Sequence, residues 1–241
     1  MAIDPRIQLG ATGMRAGEQA QEIDQGLRTY MLRVYNYMAT ALAVSGIVAI
    51  FSSQSTALMS AIYGTPLQWV VMLAPLGLVF FLSARINKMS SSAAQTTFWV
   101  FSALMGLSLS YIFLVYTPVS IVRVFFITAG TFGAMSLYGY TTKRDLTGMG
   151  NFLMMGLFGI IIASVVNIFM QSSAMQFAIS VIGVLVFVGL TAYDTQKIRK
   201  NYLASDGSEA MSKKAIMGAL MLYLDFINLF MMLLHLFGNR D

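Results

Sequence analysis

Two acids stand where acids rarely do. Asp225 lies in Leu222-Tyr223-Leu224-Asp225-Phe226-Ile227-Asn228-Leu229-Phe230, and Asp194 follows a run from Leu146 to Tyr193 that carries no charge at all. A carboxylate in the middle of a membrane helix costs about 2.5–3.5 kcal/mol on insertion scales, so it implies a partner, a bound proton or a water-filled cavity. Asp225 lies about three helical turns past Lys214, or roughly 15 Å along a helix axis, which is near mid-membrane. Asn228, three residues on, shares its face. Asp194 is nearer a helix end, with Lys197 one turn away, and an interfacial ion pair would explain it equally well by itself. If the two acids meet, they cannot easily both ionise in a low dielectric and would share one proton. Loss of that proton would favour separation or a hard cation such as calcium, which takes carboxylate and carbonyl oxygens. This chemistry amounts to a pH-sensitive gate, with Asp194 and Asp225 as transient calcium ligands. Arg85 and Arg123 are the arginines placed to pair with the acids, although boundary anchoring explains each more simply.

Those residues need a membrane to give them meaning, and the composition supplies one. Apolar residues make up 57% of the 241 and charged residues 10%, where soluble domains carry roughly 25% charged residues. Charge is missing from Val34 to Ala84, Met89 to Val122, Val124 to Thr142 and Leu146 to Tyr193. A membrane helix needs about 20 apolar residues. Turn signals divide these runs into seven spans, at about 34–53, 67–84, 97–116, 121–140, 151–171, 174–195 and 214–237. Residues 1–29 form a polar N-terminal tail, expected to be mobile and without a signal-peptide core. The seven-helix domain covers 30–238. Alternate connections gather 13 Lys and Arg on one side and 2 on the other. The positive side is cytoplasmic, so the N-terminus is expected inside and the C-terminus outside.

Several classes are disfavoured. Cysteine is absent, which removes disulfides and thiolate sites. The net charge of +5 comes without a basic stripe interleaved with aromatics, so no nucleic-acid partner is expected. No HExxH pair, phosphate loop or nucleophile–base set is present, and no cofactor is called for. Intramembrane aspartyl proteases also use two membrane acids, one in a Tyr-Asp pair like Tyr193-Asp194. Their second acid follows a Gly-x-Gly pattern, however, and Leu222-Tyr223-Leu224 precedes Asp225 here. The chain is therefore not expected to be an enzyme. A proton-coupled transporter is a further class, and no inverted repeat encourages it. Trp69, Trp99, Tyr63, Tyr116, Tyr140 and Tyr202 are expected to anchor at the interfaces. His235 is expected at the outer interface, not as a proton relay. Ser102-Gly106-Ser110, Gly130-Ala134 and Gly159-Ala163 have the spacing of close helix contacts.

Tyr193-Asp194-Thr195-Gln196-Lys197-Ile198 and the Leu222–Phe230 segment closely resemble the signatures of the Bax inhibitor-1 family. Met105-Gly106-Leu107-Ser108-Leu109-Ser110 and Arg85-Ile86-Asn87-Lys88-Met89-Ser90 resemble its bacterial branch. The likeness runs from about residue 30 to the end. It implies an all-α integral membrane protein with six helices around a seventh, C-terminal one, residing in a bacterial inner membrane. It implies a pH-sensitive calcium leak gated by an acid pair that maps onto Asp194 and Asp225, and an arginine that bonds the first acid, which Arg85 matches by position. The family is also linked to cell-death suppression and, in bacteria, to restraint of a membrane-bound protease. A regulator that binds other membrane proteins is thus the alternative to a channel.

Overall fold

The protein is described here by a computed structural model covering the backbone of residues 5–239 and side chains from residue 21. Its helices are α1 (Pro5–Ser53), α2 (Thr56–Tyr63), α3 (Leu67–Arg85), α4 (Ser91–Leu109), α5 (Ile112–Val115), α6 (Pro118–Thr141), α7 (Thr147–Met170), α8 (Ser173–Lys200) and α9 (Ser208–Phe237), with a 3₁₀ turn at Ile86–Lys88. Seven of these elements are long and apolar enough to cross a membrane. An all-helical chain is what a hydrocarbon solvent requires, because each span then satisfies its own backbone.

Helix boundaries follow local capping. Ser90 accepts from Ala93 N, which starts the third span at Ser91 instead of 97. Thr117 accepts from Ser120 N with Pro118 in the first turn, and Ser172 accepts from Met175 N; both are ordinary N-caps. Gln171 closes α7 in the left-handed conformation, at φ 49°. The first helix reaches back to Pro5, well before residue 34. The tail's side chains before Gln21 lie outside the described residues. The short helix α2, unmarked by charge or length, places the Tyr63 hydroxyl to donate to the carbonyls of Leu107 and Ser108 at 3.1 Å each. Tyr63 thereby ties down the break between α4 and α5.

The C-terminal helix is central. In α9, 61% of the most apolar stretch is buried, against 11% in α7 and 17% in α3. It packs directly on α1, α4, α6 and α8. The other two spans form an outer tier, with α3 on α4 and α7 on α8. Six helices around one is therefore four directly around one, plus two outside.

Glycines set the closest approaches. A Cβ on Gly106 would lie 2.4 Å from Ser45 O, and one on Gly139 would lie 2.2 Å from Ala192 O. The first approach joins α4 to α1 and the second joins α6 to α8. A Cβ on Gly130 or Gly159 would meet nothing within 4 Å, so neither glycine marks a close helix approach. Spacing identifies a face but not what covers it. Two aromatics also depart from simple anchoring. Tyr116 is 1% exposed and meets His235 edge-on, while Trp99 packs between Tyr37 and Phe98. Trp69, 60% exposed at the start of α3, keeps the outward position expected of an anchor.

Candidate functional site

Asp194 on α8 and Asp225 on α9 are brought together. Their carboxyl groups lie within hydrogen-bonding reach of each other. Asp225 is 5% exposed, and its buried Oδ2 accepts from no N–H or hydroxyl group of the described residues. Such a bond needs one of the two carboxyls to carry a proton, because two carboxylates have only acceptors.

The difference in depth expected from residue counting disappears because both helices run past the expected spans, α8 to Lys200 and α9 back to Ser208. The α9 helix begins at Ser208, so Asp225 lies about 25 Å from its start. The α8 helix continues to Lys200, leaving Asp194 about 9 Å from its end. The first turns of α9 overhang the end of α8, and the two acids come level. Along this seam a Cβ on Gly218 would meet Ile198 at 3.1 Å, and the Met232 side chain sits on Gly183. Gly218, Asp225 and Met232 thus recur every seven residues, the repeat of helices that pack with a left-handed twist.

The remaining predicted site residues are elsewhere. Arg85 is exposed at the end of α3, an outer-tier helix, and does not pair with Asp194. Matching by position to a family feature did not carry it to the acid. Asn228 donates to its own helix, at Leu224 O, 2.8 Å away. Lys197 lies over the Tyr193 ring, 5.8 Å from its centroid, instead of closing an ion pair with Asp194. Arg123 donates to Phe237 O at 3.1 Å and so caps the end of α9, where helix carbonyls lack partners.

What holds the pair in place was not anticipated. The residue after Asp194 and a residue two before Asp225 each anchor a hydroxyl chain. Thr195 Oγ1 is 2.9 Å from Ser136 Oγ, which is 2.6 Å from the Tyr35 hydroxyl. The Tyr223 hydroxyl is 2.7 Å from Ser45 Oγ, which donates to Ser102 O at 2.7 Å. These chains bind α8 to α6 and α1, and α9 to α1 and α4. Two residues past Asp194, the buried Gln196 spans the α6–α7 connection. Its Nε2 donates to Arg144 O at 2.8 Å, and its Oε1 accepts from Leu146 N at 2.9 Å. Arg199 donates to Tyr140 O, and Lys200 pairs with Asp145 at 2.6 Å. The signal in the sequence was the polar run after Asp194, which reads as a helix end but is a clamp. Replacing Gln196 with Leu should strand one buried N–H and one carbonyl, costing about 1–3 kcal/mol. Thermal unfolding in detergent would register that loss.

At the end of the bundle where α8 stops and α9 starts, a cavity of about 800 Å³ is lined by Ile198, Gly218 and Met221 together with Lys200, Lys213 and Lys214. Ile198 and Met221 are each one turn from an acid, so this cavity ends just below the pair. Its lysines are largely neutralised locally, Lys214 by Asp206 at 2.6 Å and Lys213 by Glu209 at 3.0 Å.

The bundle and its buried acid pair define a multi-pass membrane protein with an ionisable site in its central seam. Comparison with known proteins agrees. Residues 27–241 match the family described as "Inhibitor of apoptosis-promoting Bax1", and the chain belongs to the Bax inhibitor-1 family. It is 50% identical over 218 residues to the Escherichia coli protein called inner membrane protein YbhL, covering 89% of this chain and 93% of that one. It is 50% identical over 217 residues to an uncharacterized protein of Rickettsia prowazekii, covering 90% and 92%. It is 34% identical over 221 residues to an uncharacterized membrane protein of Streptococcus pyogenes, covering 90% and 96%.

Proposed function

We propose that this protein is a passive, pH-sensitive cation leak, with calcium as the favoured ion, gated by Asp194 and Asp225. The observation that carries this reading is the carboxyl–carboxyl contact at a nearly inaccessible position. With one shared proton the seam is shut. When pH rises and that proton leaves, two anions remain side by side in a poorly solvated place, and their repulsion favours opening or capture of a cation. Calcium takes 6–8 oxygens, so two carboxylates would hold it only in passing, with carbonyls and water completing its shell. Transient holding suits conduction, which needs binding weak enough to release. A non-enzymatic role belongs to this reading, because Leu222-Tyr223-Leu224 stands before Asp225 where the intramembrane aspartyl proteases carry Gly-x-Gly. Location in a bacterial inner membrane, with the basic side facing the cytoplasm, fits the charge asymmetry and the name of the E. coli relative. Calcium-dye liposomes containing the wild-type protein and the two Asp→Asn variants test the reading, which fails if flux and its pH response are the same in all three.

The exposed pair at the inner end is not the pH sensor. The Lys200 ammonium, with the Thr147 hydroxyl and N–H, holds the Asp145 carboxyl down at about 2. Because this value is depressed, the Asp145–Lys200 interaction is fully present above the ordinary carboxylate range, near 3.9. It is lost only as pH falls through about 2. Asp145→Asn should therefore leave the pH midpoint of calcium flux unmoved. A midpoint that shifted by a unit would place the sensor in this connection instead.

A further inference from the structure

A leak gated by an inner acid pair still needs a route from the pair to the outer surface, and the α8–α9 seam shows where that route would run. Beyond Asp194 and Asp225 the seam is apolar. The polar side chains there are spent on their own helices, Thr191 donating to Phe187 O at 2.7 Å and Asn228 to Leu224 O at 2.8 Å. Two turns from Asp225, the Met232 thioether sits on Gly183, with Sδ only 2.8 Å from where a Cβ would be. One turn further out the character changes abruptly. A cavity of about 380 Å³ opens there, lined by Asn167, Gln171, Gln176, Ser180 and His235. Its floor is buried and polar, with Ser180 1% and Asn167 8% exposed. Asn167 Nδ2 donates to Gln176 Oε1 at 3.2 Å, and its Oδ1 accepts from Ser172 N at 3.0 Å, so the cavity wall is built and held. Neutral amide and hydroxyl oxygens are suitable ligands for a hydrated cation.

We propose that Met232 seated on Gly183 is a second, apolar closure in series with the acid pair, and that the polar cavity beyond it is the outer mouth of the path, taking a hydrated cation. The location rests on the leak reading; the closure itself is a statement about water access. Methionine suits it, because an unbranched flexible side chain can swing off a glycine without moving either backbone. A narrow apolar layer excludes water and ions until it widens.

The chain has no cysteine, so single cysteines can be labelled in otherwise native protein. A membrane-impermeant maleimide supplied to the outer face of spheroplasts should label Gln176→Cys readily. It should label Thr191→Cys, on the far side of Met232, at least ten-fold more slowly. Adding Met232→Ala should bring Thr191→Cys to within a few-fold of the Gln176→Cys rate. In liposomes, Met232→Ala should raise calcium flux several-fold at permissive pH while leaving the pH midpoint in place, because the acid pair still acts in series. A Gln176→Cys that is not labelled from outside, or a Thr191→Cys rate indifferent to Met232→Ala, overturns the inference. So does a Met232→Ala flux that has lost its pH dependence. If labelling follows the predicted pattern but wild-type liposomes carry no flux, the closure stands and the leak reading falls.

Discussion

Liposomes carrying Asp225→Asn or Asp194→Asn will release calcium at a rate that no longer responds to pH. In the wild type, raising pH removes the shared proton and replaces a hydrogen bond with two facing anions. An asparagine has no proton to lose. Its amide can donate to the remaining carboxylate at every pH, so the closing contact persists and the repulsive state is never reached. Flux in either variant should stay near the wild-type closed level, with at least a ten-fold loss in the ratio of high-pH to low-pH rates. A pair that shares one proton acts as a unit. The double variant should therefore behave like either single one, not like their sum. Independent effects that add would mean that the two acids titrate separately and do not form one gate.

The second large effect concerns assembly. Gly106→Ala and Gly139→Ala each place a methyl group inside 2.5 Å of a backbone carbonyl, Ser45 O in one case and Ala192 O in the other. Backbone cannot swing aside as a side chain can, so two helices must separate. Overpacking of this kind costs about 1–3 kcal/mol, and Leu at either position should prevent a stable fold. The Gly139 variant carries a further consequence. Ala192 lies two residues from Asp194, and Ser136 and Thr195 tie the same two helices, so displacement of α6 from α8 should also disturb the gate. Gly130→Ala and Gly159→Ala supply the comparison. A Cβ on either glycine would meet nothing within 4 Å, and removing a helical glycine should raise stability by up to about 1 kcal/mol. Unfolding of the purified protein in detergent would order the four variants. Equal behaviour of the two pairs would contradict the packing described above.

The spans were legible because charge is so costly in hydrocarbon that its absence draws the boundaries. Seven spans and an acid pair followed from that one penalty. Helix ends were less legible. Counting from Lys214 puts Asp225 deeper than Asp194, because charge alone does not show that α9 starts further back, at Ser208, in the overhang. Neighbour identity was the least legible. Arg85 ends a span on the same side as Asp194, but a list of spans does not say which helix lies in an outer tier. Gly130 and Gly159 carry the spacing of a helix contact and are exposed, since periodicity is blind to what covers a face. Thr195, Gln196 and Tyr223 sit inside the motifs themselves. Their anchoring roles required knowing that Ser136, Arg144, Leu146 and Ser45, distant in sequence, were opposite them.

Infrared spectroscopy of the reconstituted protein across a pH titration tests the shared proton most directly, because the C=O stretch of a protonated carboxyl buried in the membrane is separate from that of a carboxylate. A band that vanishes as pH rises, along the same curve as calcium flux increases, and whose titration is lost from that pH range in Asp225→Asn, is the predicted result. A closed wild-type protein with no such band, or a band that survives in Asp225→Asn and titrates unchanged, would show that the seam is shut by something other than a proton held between these two acids.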